Sequence, residues 1–492
     1  MTERNDQEDI RRQRRERLGG LAAYPARTNR STTVAALLDD WSEGRTATIA
    51  GRVRAFRLQG GSAFLKLEDE TGQLQGFLQK KNLPDFAETA NQIDLGDFLE
   101  IAGTTFVTKR GEKTIDASSF RWLAKALRPL PSEWHGLANV ETRYRYRELD
   151  LLANDKVKDV FLTRGKILTA VRDYLNKRGF IEVETPILHP IVGGATAKPF
   201  TTHHNALDMD LFLRVAPELY LKRLIVGGLG RVFEIGRNFR NEGIDRDHNP
   251  EFTMMECYAA FQNYEWMMDF TEDLLITVAT AVNGKPEIII GEKTFTLKKP
   301  FQRIQYHEAI FHMTKIDINK VTDDELREQG RKLKTDLSKD MNRTQMIDEL
   351  FRTHVRPNFI TPGFIYDYPT DMIPLAKKKS DNPAYVECFQ LMGAGTELAK
   401  GFSELNDPVD QRERFEAQEK LRAKGDEEAQ PIDETYLRSL EYGMPPTAGL
   451  GIGIDRLMAI LTNQKALKDV ILFPTLKSEA HDPVRAKNDR ES

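Results

Sequence analysis

The stretch Arg231 to Tyr258, RVFEIGRNFRNEGIDRDHNPEFTMMECY, constrains the fold more than any other part of the chain. It reads as two strands joined by a polar loop. Side chains alternate along a strand, so Val232, Glu234, Gly236, Asn238 and Arg240 share one face, and Phe233, Ile235 and Phe239 point into a core. The connector from Asn241 to Pro250 carries the Gly, Asn, Asp and Pro that turns select. The return strand places Phe252, Met254, Glu256 and Tyr258 together. Folded as a hairpin, the stretch gathers a guanidinium suited to phosphate or carboxylate, a ring able to stack on a base, and acids able to hold an amine. The same residues also fit a polar-faced edge hairpin with surface ion pairs.

The order Phe-Arg-x-Glu, then His248, then an aromatic opening the return strand, resembles motif 2 of the class II aminoacyl-tRNA synthetases, most closely the lysyl members of subclass IIb. Other segments bear on that resemblance. In PPTAGLGIGIDRLMAILTN, Gly449, Gly451 and Gly453 alternate with Leu450, Ile452 and Ile454, so one strand face is bare and lets a ligand approach the backbone. Asp455 and Arg456 then open an apolar helix whose N-terminus favours an anion. Neither the phosphate-loop pattern nor GxGxxG spacing is present. Gly-x-Gly-x-Gly followed by an acid and Arg is similar to motif 3, with Asp455 where many class II enzymes have Glu. A helix over Lys156–Lys177, ended by Gly179, and the strand FIEVETPIL with its edge-favouring Pro186 resemble motif 1, the dimer interface of the class.

Upstream, residues 46–122 break into short alternating strands separated by glycines, which predicts a small closed barrel. An OB-fold is the natural candidate, and it binds single-stranded nucleic acid on aromatic rings. Residues 1–45 form a charged, helical extension in which Arg11, Arg12, Arg14, Arg15 and Arg17 sit among acids. This is a solvated helix or disordered arm, or a basic helix touching RNA phosphates. The expected organisation is therefore α+β. An OB-fold β-barrel occupies 46–128, and a linker broken by Pro129 and Pro131 occupies 129–155. A class II catalytic domain, an antiparallel sheet flanked by helices, occupies 156–492, with a small helical insertion near 300–360.

Composition sets bounds on partners. The 492 residues carry 71 basic and 75 acidic side chains, a formal charge of −4, so RNA contact must use local patches rather than a global field. Two cysteines suggest no disulfide framework and fit a reducing, cytoplasmic setting. The nine histidines lack zinc-ligand spacing, and no apolar run reaches membrane-spanning length.

The resemblance implies a lysine–tRNA ligase that uses ATP and Mg2+ to form lysyl-adenylate, transfers lysine to its tRNA, and works as a homodimer through the motif 1 helix and strand. It implies that Arg240 bridges the lysine carboxylate and α-phosphate, that Arg456 holds the γ-phosphate and that His248 assists. Glu242, Asn249 and Phe252 complete the ATP site, with Phe252 stacking adenine. Glu218, in the first turn of the helix after Ala216-Pro217, takes the α-amino group with the backbone of Gly194. Glu256, Tyr258 and Glu404 surround the ε-ammonium. In the barrel, Arg57, Phe64 and Gln75 match the anticodon-reading trio, although by position alone Phe64 also fits the barrel core. Glu397 binds magnesium. The chain departs from the family at Cys388, at Gln390, where a metal-binding Glu is usual, and at Lys400, where an Asn contacts lysine. Alternation places Lys400 on the face of Glu404, near the carboxylate and phosphate end, where its charge compensates for Gln390. The alternatives are an aspartyl or asparaginyl enzyme, whose pocket should offer cations or amides, and a non-catalytic tRNA-binding or regulatory paralogue.

Overall fold

Alternation in the N-terminal strands closes a barrel. In the computed structural model, which describes residues 2–18, 23–130, 139–338, 340–423, 425 and 429–477, five strands succeed one another: β1 (Thr46–Gln59), β2 (Ser62–Glu68), β3 (Gln73–Gln79), β4 (Phe98–Val107) and β5 (Lys113–Ala124). They close in the order β1-β2-β3-β5-β4, with β4 returning to β1 and only β3 and β5 parallel. Ile49, Val53, Leu65, Leu67, Leu74, Leu78, Ile101 and Ile115 point inward and are buried, each stabilising the fold by ~1.5–3 kcal/mol. The N-terminal extension belongs to this unit. Its helix, Thr2–Arg17, is held by the buried Arg14, whose Nη1 donates to the carbonyls of Ala126 (2.8 Å) and Arg128 (3.3 Å). Arg14 and Arg17 both reach Asp94, so these two of the five arginines are tied to the barrel, while Arg11 and Arg12 pair within the helix.

The second unit begins at residue 139, earlier than the expected 156. Residues 131–138 of the expected linker lie outside the described residues. Its remainder is helical, Val140–Arg145 and Arg147–Ala153. Arg147 explains why: it is buried and donates to the carbonyls of Lys468 (2.8 Å), Ile471 (3.2 Å) and Leu472 (2.9 Å). These include carbonyls that the end of helix Leu467–Val470 leaves without an intrahelical partner. This segment is fastened to the second unit rather than strung ahead of it.

The remaining strands are β6 (Ile181–Glu182), β7 (Leu188–His189), β8 (Thr201–His204), β9 (Met209–Leu213), β10 (Arg231–Phe239), β11 (Glu251–Ala260), β12 (Glu287–Ile290), β13 (Lys293–Thr296), β14 (Gln302–Gln305), β15 (Gly363–Pro369), β16 (Tyr385–Gly393), β17 (Thr396–Ser403) and β18 (Thr447–Gly453). Eight make one sheet in the order β14-β15-β16-β17-β18-β11-β10-β6. Its centre is antiparallel, as expected, but both outer pairings, β14–β15 and β6–β10, are parallel. One face packs on helices Asp155–Lys177, Tyr264–Asn283 and Ile454–Leu461 through residues such as Val171, Leu274 and Leu457. The other meets helices Glu218–Val226, Tyr306–Thr314, Arg343–Leu350 and Glu434–Glu441, and the candidate site lies on it.

Two expectations need correction. FIEVETPIL is not one strand: β6 is two residues long at the sheet edge. Beyond Val183, the N–H and hydroxyl of Thr185 donate to the Glu234 carboxylate (3.2 and 2.7 Å), so the chain leaves the ladder to serve a side chain. The helical insertion starts later than 300, because Gln302–Gln305 joins the sheet as β14. Its helices, Tyr306–Thr314, Asp323–Lys332 and Arg343–Leu350, are packed into the core.

Candidate active site

The central stretch forms the expected hairpin, β10 paired antiparallel with β11. Glu256 lies opposite Glu234, Phe252 opposite Asn238 and Tyr258 opposite Val232, so the two polar faces merge. Pairing of β11 with β18 sets Glu256 against Gly451 and Tyr258 against Gly449. Arg214, just after β9, lies beneath the hairpin, ion-paired to Glu234 and donating from Nε to the Arg237 carbonyl (2.9 Å). A Cβ at Gly236 would fall 2.1 Å from its guanidinium, so this position must be glycine while Arg214 is there.

At one end of this face, four elements converge. Glu218 is buried in the first turn of Glu218–Val226, and a Cβ on Gly194 would lie 3.2 Å from Glu218 Cβ. Glu256 and Tyr258 project from β11, with the Tyr258 hydroxyl donating to Glu256 (3.0 Å). Glu404 follows β17 and lies over Gly449, where any Cβ would stand 2.0 Å from its carboxylate. Between the acids is a side chain that sequence reasoning passed over. Lys222 is fully buried, with Nζ 2.6 Å from Glu218 and ion-paired to Glu404. Burial alone would lower the Lys222 pKa, but Glu218 and Glu404 outweigh it and the value is raised. Burial, reinforced by Glu218, pushes the Glu256 carboxyl up to about 8, against the pull of Tyr258, Arg240 and Arg214. Burial also raises Glu404, with Lys222 opposing.

The other end is less self-contained. Arg240 lies with its guanidinium carbon 5.0 Å from the centre of the Phe252 ring. Its Nε, and both amide atoms of Asn238 on the same face, are buried without a hydrogen-bond partner, capacity that a ligand here would satisfy. Arg456 donates to the Glu397 carbonyl (3.1 Å). Asp455 is spent on the frame: it accepts from Arg164 (2.6 Å) and from the Thr253 N–H (2.8 Å), tying helix Asp155–Lys177, the hairpin and helix Ile454–Leu461 together. In the loop, Glu242 is exposed at the rim and His248 is oriented by Asp245 (2.8 Å). The Asn249 amide is spent on backbone, donating to the Glu251 carbonyl and accepting from the Thr475 N–H (3.2 Å).

A β-bulge puts Glu397 and Gln390, the residues expected to hold a metal, on one sheet face. Leu391 pairs with Ala399 but Met392 pairs with Glu397, leaving Leu398 as an extra residue. The bulge reverses the alternation, so Glu397 joins Gln390, Lys400 and Phe402 on one face. Gln390 Oε1 accepts from the Tyr368 hydroxyl (2.8 Å). Lys400 is half-buried and within electrostatic reach of Asp348, whose carboxyl burial pushes up while Arg352, Lys400 and Arg356 pull it down. Among the described residues, no cluster of three or more His, Cys, Asp or Glu could hold a metal.

In the barrel unit, Arg57, Phe64 and Gln75 lie on adjacent strands, Arg57 opposite Phe64 and Gln75 opposite Lys66. Phe64 is not core: its neighbours Ala63 and Leu65 point inward, and its ring stacks on Phe77 (4.5 Å between centres). Phe77 in turn leans on Phe106 (6.2 Å), an aromatic shelf larger than the sequence suggested. Gln75 donates to Thr114 (3.0 Å).

Sheet, hairpin, acid pocket and barrel together define an enzyme that activates an amino acid on a class II scaffold, and similarity to known proteins agrees. Residues 139–477 match the family described as tRNA synthetases class II (D, K and N), and residues 47–123 match the OB-fold nucleic acid binding domain. The lysine–tRNA ligase of Carboxydothermus hydrogenoformans is 46% identical, over 93% of this chain and 95% of that protein. Those of Christiangramia forsetii (45%; 97% and 87%) and Listeria monocytogenes (48%; 87% of each) are also similar. The chain belongs to the class II tRNA synthetases, in the lysine–tRNA ligase family.

Proposed function

We propose that this enzyme joins L-lysine to ATP as lysyl-adenylate and then transfers the lysyl group to the 3′ end of tRNA(Lys). The observation that carries this reading is the buried trio Glu218, Glu256 and Glu404, a pocket for a substrate with two ammonium groups. An aspartate or asparagine side chain would meet carboxylates where it needs cations or amides, and the Lys222 ammonium is already paired with Glu218 and Glu404.

In activation, a lysine carboxylate oxygen forms a bond to the α-phosphorus while the bond to the bridging oxygen breaks and pyrophosphate leaves. Two anions must meet, so fixed cations carry the reaction. Arg240 answers the carboxylate and α-phosphate, Arg456 the γ-phosphate, and His248, steadied by Asp245, stands at the rim with Glu242. Phe252 stacks adenine, displacing the Arg240 guanidinium from its ring. Asn249 acts indirectly by bracing the loop. Glu218 and the Gly194 backbone hold the α-amino group; Glu256, Tyr258 and Glu404 hold the ε-ammonium. No nucleophile or general base is required, because positioning is sufficient.

Magnesium commonly binds through one or two carboxylates together with substrate phosphates. Glu397 offers one such carboxylate and Gln390 a neutral oxygen beside it, so these residues fit an ion carried by ATP rather than a protein-built cage. Bound there, it would neutralise phosphate charge. Lys400, on the same face, adds to that neutralisation.

On the barrel, Phe64 would stack an anticodon base, Gln75 would read the central uridine and Arg57 would support them. Exposed apolar side chains in the motif 1 segment support a homodimer: Leu162 on helix Asp155–Lys177, Ile181 in β6, and Ile187 and Leu188 after it are 58, 51, 44 and 44% exposed, residues of the kind interfaces cover. Cys257 and Cys388 are unpaired and buried, as in a reducing cytoplasm, and no helix among the described residues is long and apolar enough to cross a membrane. Amino-acid-dependent ATP–pyrophosphate exchange across the twenty amino acids tests the whole reading. Lysine alone should support exchange; a response only to aspartate or asparagine would overturn it, and no response to any amino acid would indicate a tRNA-binding paralogue.

A further inference from the structure

Lys222 has no place in the roles above, yet it is the most deeply committed charge in the pocket. A Glu and a Lys four residues apart on a helix are ordinarily an exposed, weakly coupled pair. Here the Lys222 side chain is fully buried, and its Nζ also meets Glu404, from a different part of the chain. The groups electrostatically coupled to it are Glu218 on its own helix, Glu404 after β17 and Tyr436 on helix Glu434–Glu441. The Phe402 ring lies 5.5 Å from Nζ. Burying an ammonium is unfavourable unless carboxylates answer it, so its retention calls for an explanation.

Charge counting supplies one. The pocket contains three carboxylates, Glu218, Glu256 and Glu404. A bound lysine brings two ammonium groups, and Lys222 is the third. The two acids that Lys222 touches are those assigned to opposite ends of the substrate, Glu218 to the α-amino group and Glu404 to the ε-ammonium. A single Nζ therefore fixes the separation between the two recognition points.

We propose that Lys222 is a positioning residue for amino-acid selection, a built-in third ammonium that locks Glu218 and Glu404 into one ion cluster spaced for lysine. This rests on the lysine reading of the pocket. Lys222 itself does not touch ATP or the reacting atoms, so its effect falls on lysine binding. Without it, the two carboxylates repel, take up protons and lose their spacing.

The test uses the full-length enzyme in lysine-dependent ATP–pyrophosphate exchange. Lys222→Met, similar in length but neutral, should raise the lysine KM by roughly 100-fold, the size of a lost buried charge pair. The ATP KM and the rate at saturating lysine should stay within about threefold, since uniform loss of ground-state binding leaves kcat in place. Lys222→Ala deletes atoms equivalent to n-propylammonium. That amine, added to the variant, should restore most of the lysine KM, whereas 1-propanol, alike in shape but uncharged, should not. Equal rescue by both compounds would make Lys222 a space-filler and overturn the proposal. So would a lysine KM within threefold of the parent in Lys222→Met, or parallel losses in ATP and lysine parameters that propylammonium does not reverse. Absence of lysine-dependent exchange in the unaltered enzyme would be a different failure, that of the pocket reading itself.

Discussion

The proposed amino-acid pocket and the outer face of the barrel are built by opposite means. In the pocket, the recognising groups are buried and already engaged with one another: Lys222 with Glu218 and Glu404, Tyr258 with Glu256. On the barrel, Phe64, Phe77 and Phe106 are only partly covered and stack as a shelf. A charged substrate must be met by charges held in a low-dielectric site, where fixed groups act strongly. A base needs only an exposed flat surface. Substitutions should therefore be severe in the pocket and graded on the barrel.

The largest effect is expected at Glu404. Changing it to Gln leaves Lys222 facing one carboxylate instead of two, and breaking a buried ion pair from one side costs ~3–5 kcal/mol. Lysine-dependent pyrophosphate exchange should collapse while ATP binding, measured directly, is retained. Unchanged lysine kinetics would remove Glu404 from the ε-ammonium site. Next is Arg240→Ala. If Arg240 stabilises charge developing at the α-phosphorus, its loss should reduce kcat by about 10²–10³, the effect of deleting a transition-state donor. A change in lysine KM alone would place Arg240 among ground-state contacts instead.

On the barrel, Phe64→Ala should weaken tRNA binding by ~1–3 kcal/mol with lysine-dependent exchange in the absence of tRNA unaffected. Equal loss of both would mean that the substitution damages the fold rather than the shelf.

Within the pocket, Glu256 links pH to stability. Its carboxyl is raised from an ordinary 4.5 to about 8, first by burial and then by Glu218. The folded enzyme without lysine therefore keeps a proton that the unfolded chain releases. The associated stabilisation is complete below about pH 4.5 and is lost as pH rises to 8, by about 1.4 kcal/mol per pH unit at the steepest. Melting temperature should fall over that window, and Glu256→Gln should flatten the fall. Lysine, bringing an ammonium to the same carboxylate, should stabilise more at pH 8 than at pH 6. A lysine shift independent of pH would show that Glu256 is ionised before the substrate arrives.

The same contrast governs what the sequence could reveal. The barrel strands and the hairpin are local and periodic, so Arg240, Phe252, Glu256 and Tyr258 could be placed on one face from alternation alone. The pocket is non-local. Glu218 and Lys222 read as an ordinary helical pair, and only the fold brings Glu404 against them. Glu397 reaches the face of Gln390 because Leu398 is bulged, which interrupts the rule that relates strand position to face; the adjacent apolar pair Leu398-Ala399 is the sole local hint. Asp455 and Asn249 lie in motifs that suggest ligand contact, yet their polar atoms are occupied in bracing the hairpin. Motif resemblance identifies the neighbourhood of a site, and Asp455 and Asn249 show that a residue inside a motif can hold the frame instead.

The smallest expected effect separates the two kinds of residue within the shelf itself. Phe77 lies directly opposite Phe64 across the β2–β3 pairing, with ring centres 4.5 Å apart and planes inclined by 22°. If a base stacks on Phe64, Phe77 acts from beneath by fixing the ring, and an aromatic pair of this type contributes ~0.5–1.5 kcal/mol beyond its area. Phe77→Ala should therefore weaken tRNA binding by about that amount, less than Phe64→Ala. The two losses should also be non-additive, because once Phe64 is gone Phe77 has nothing left to orient. tRNA affinities of both single variants and the double variant, at one fixed salt concentration, provide the cycle. Additive losses would mean that each ring holds its own base and that the shelf reads two nucleotides rather than one. A larger loss for Phe77 than for Phe64 would make Phe77 the stacking platform and Phe64 its support.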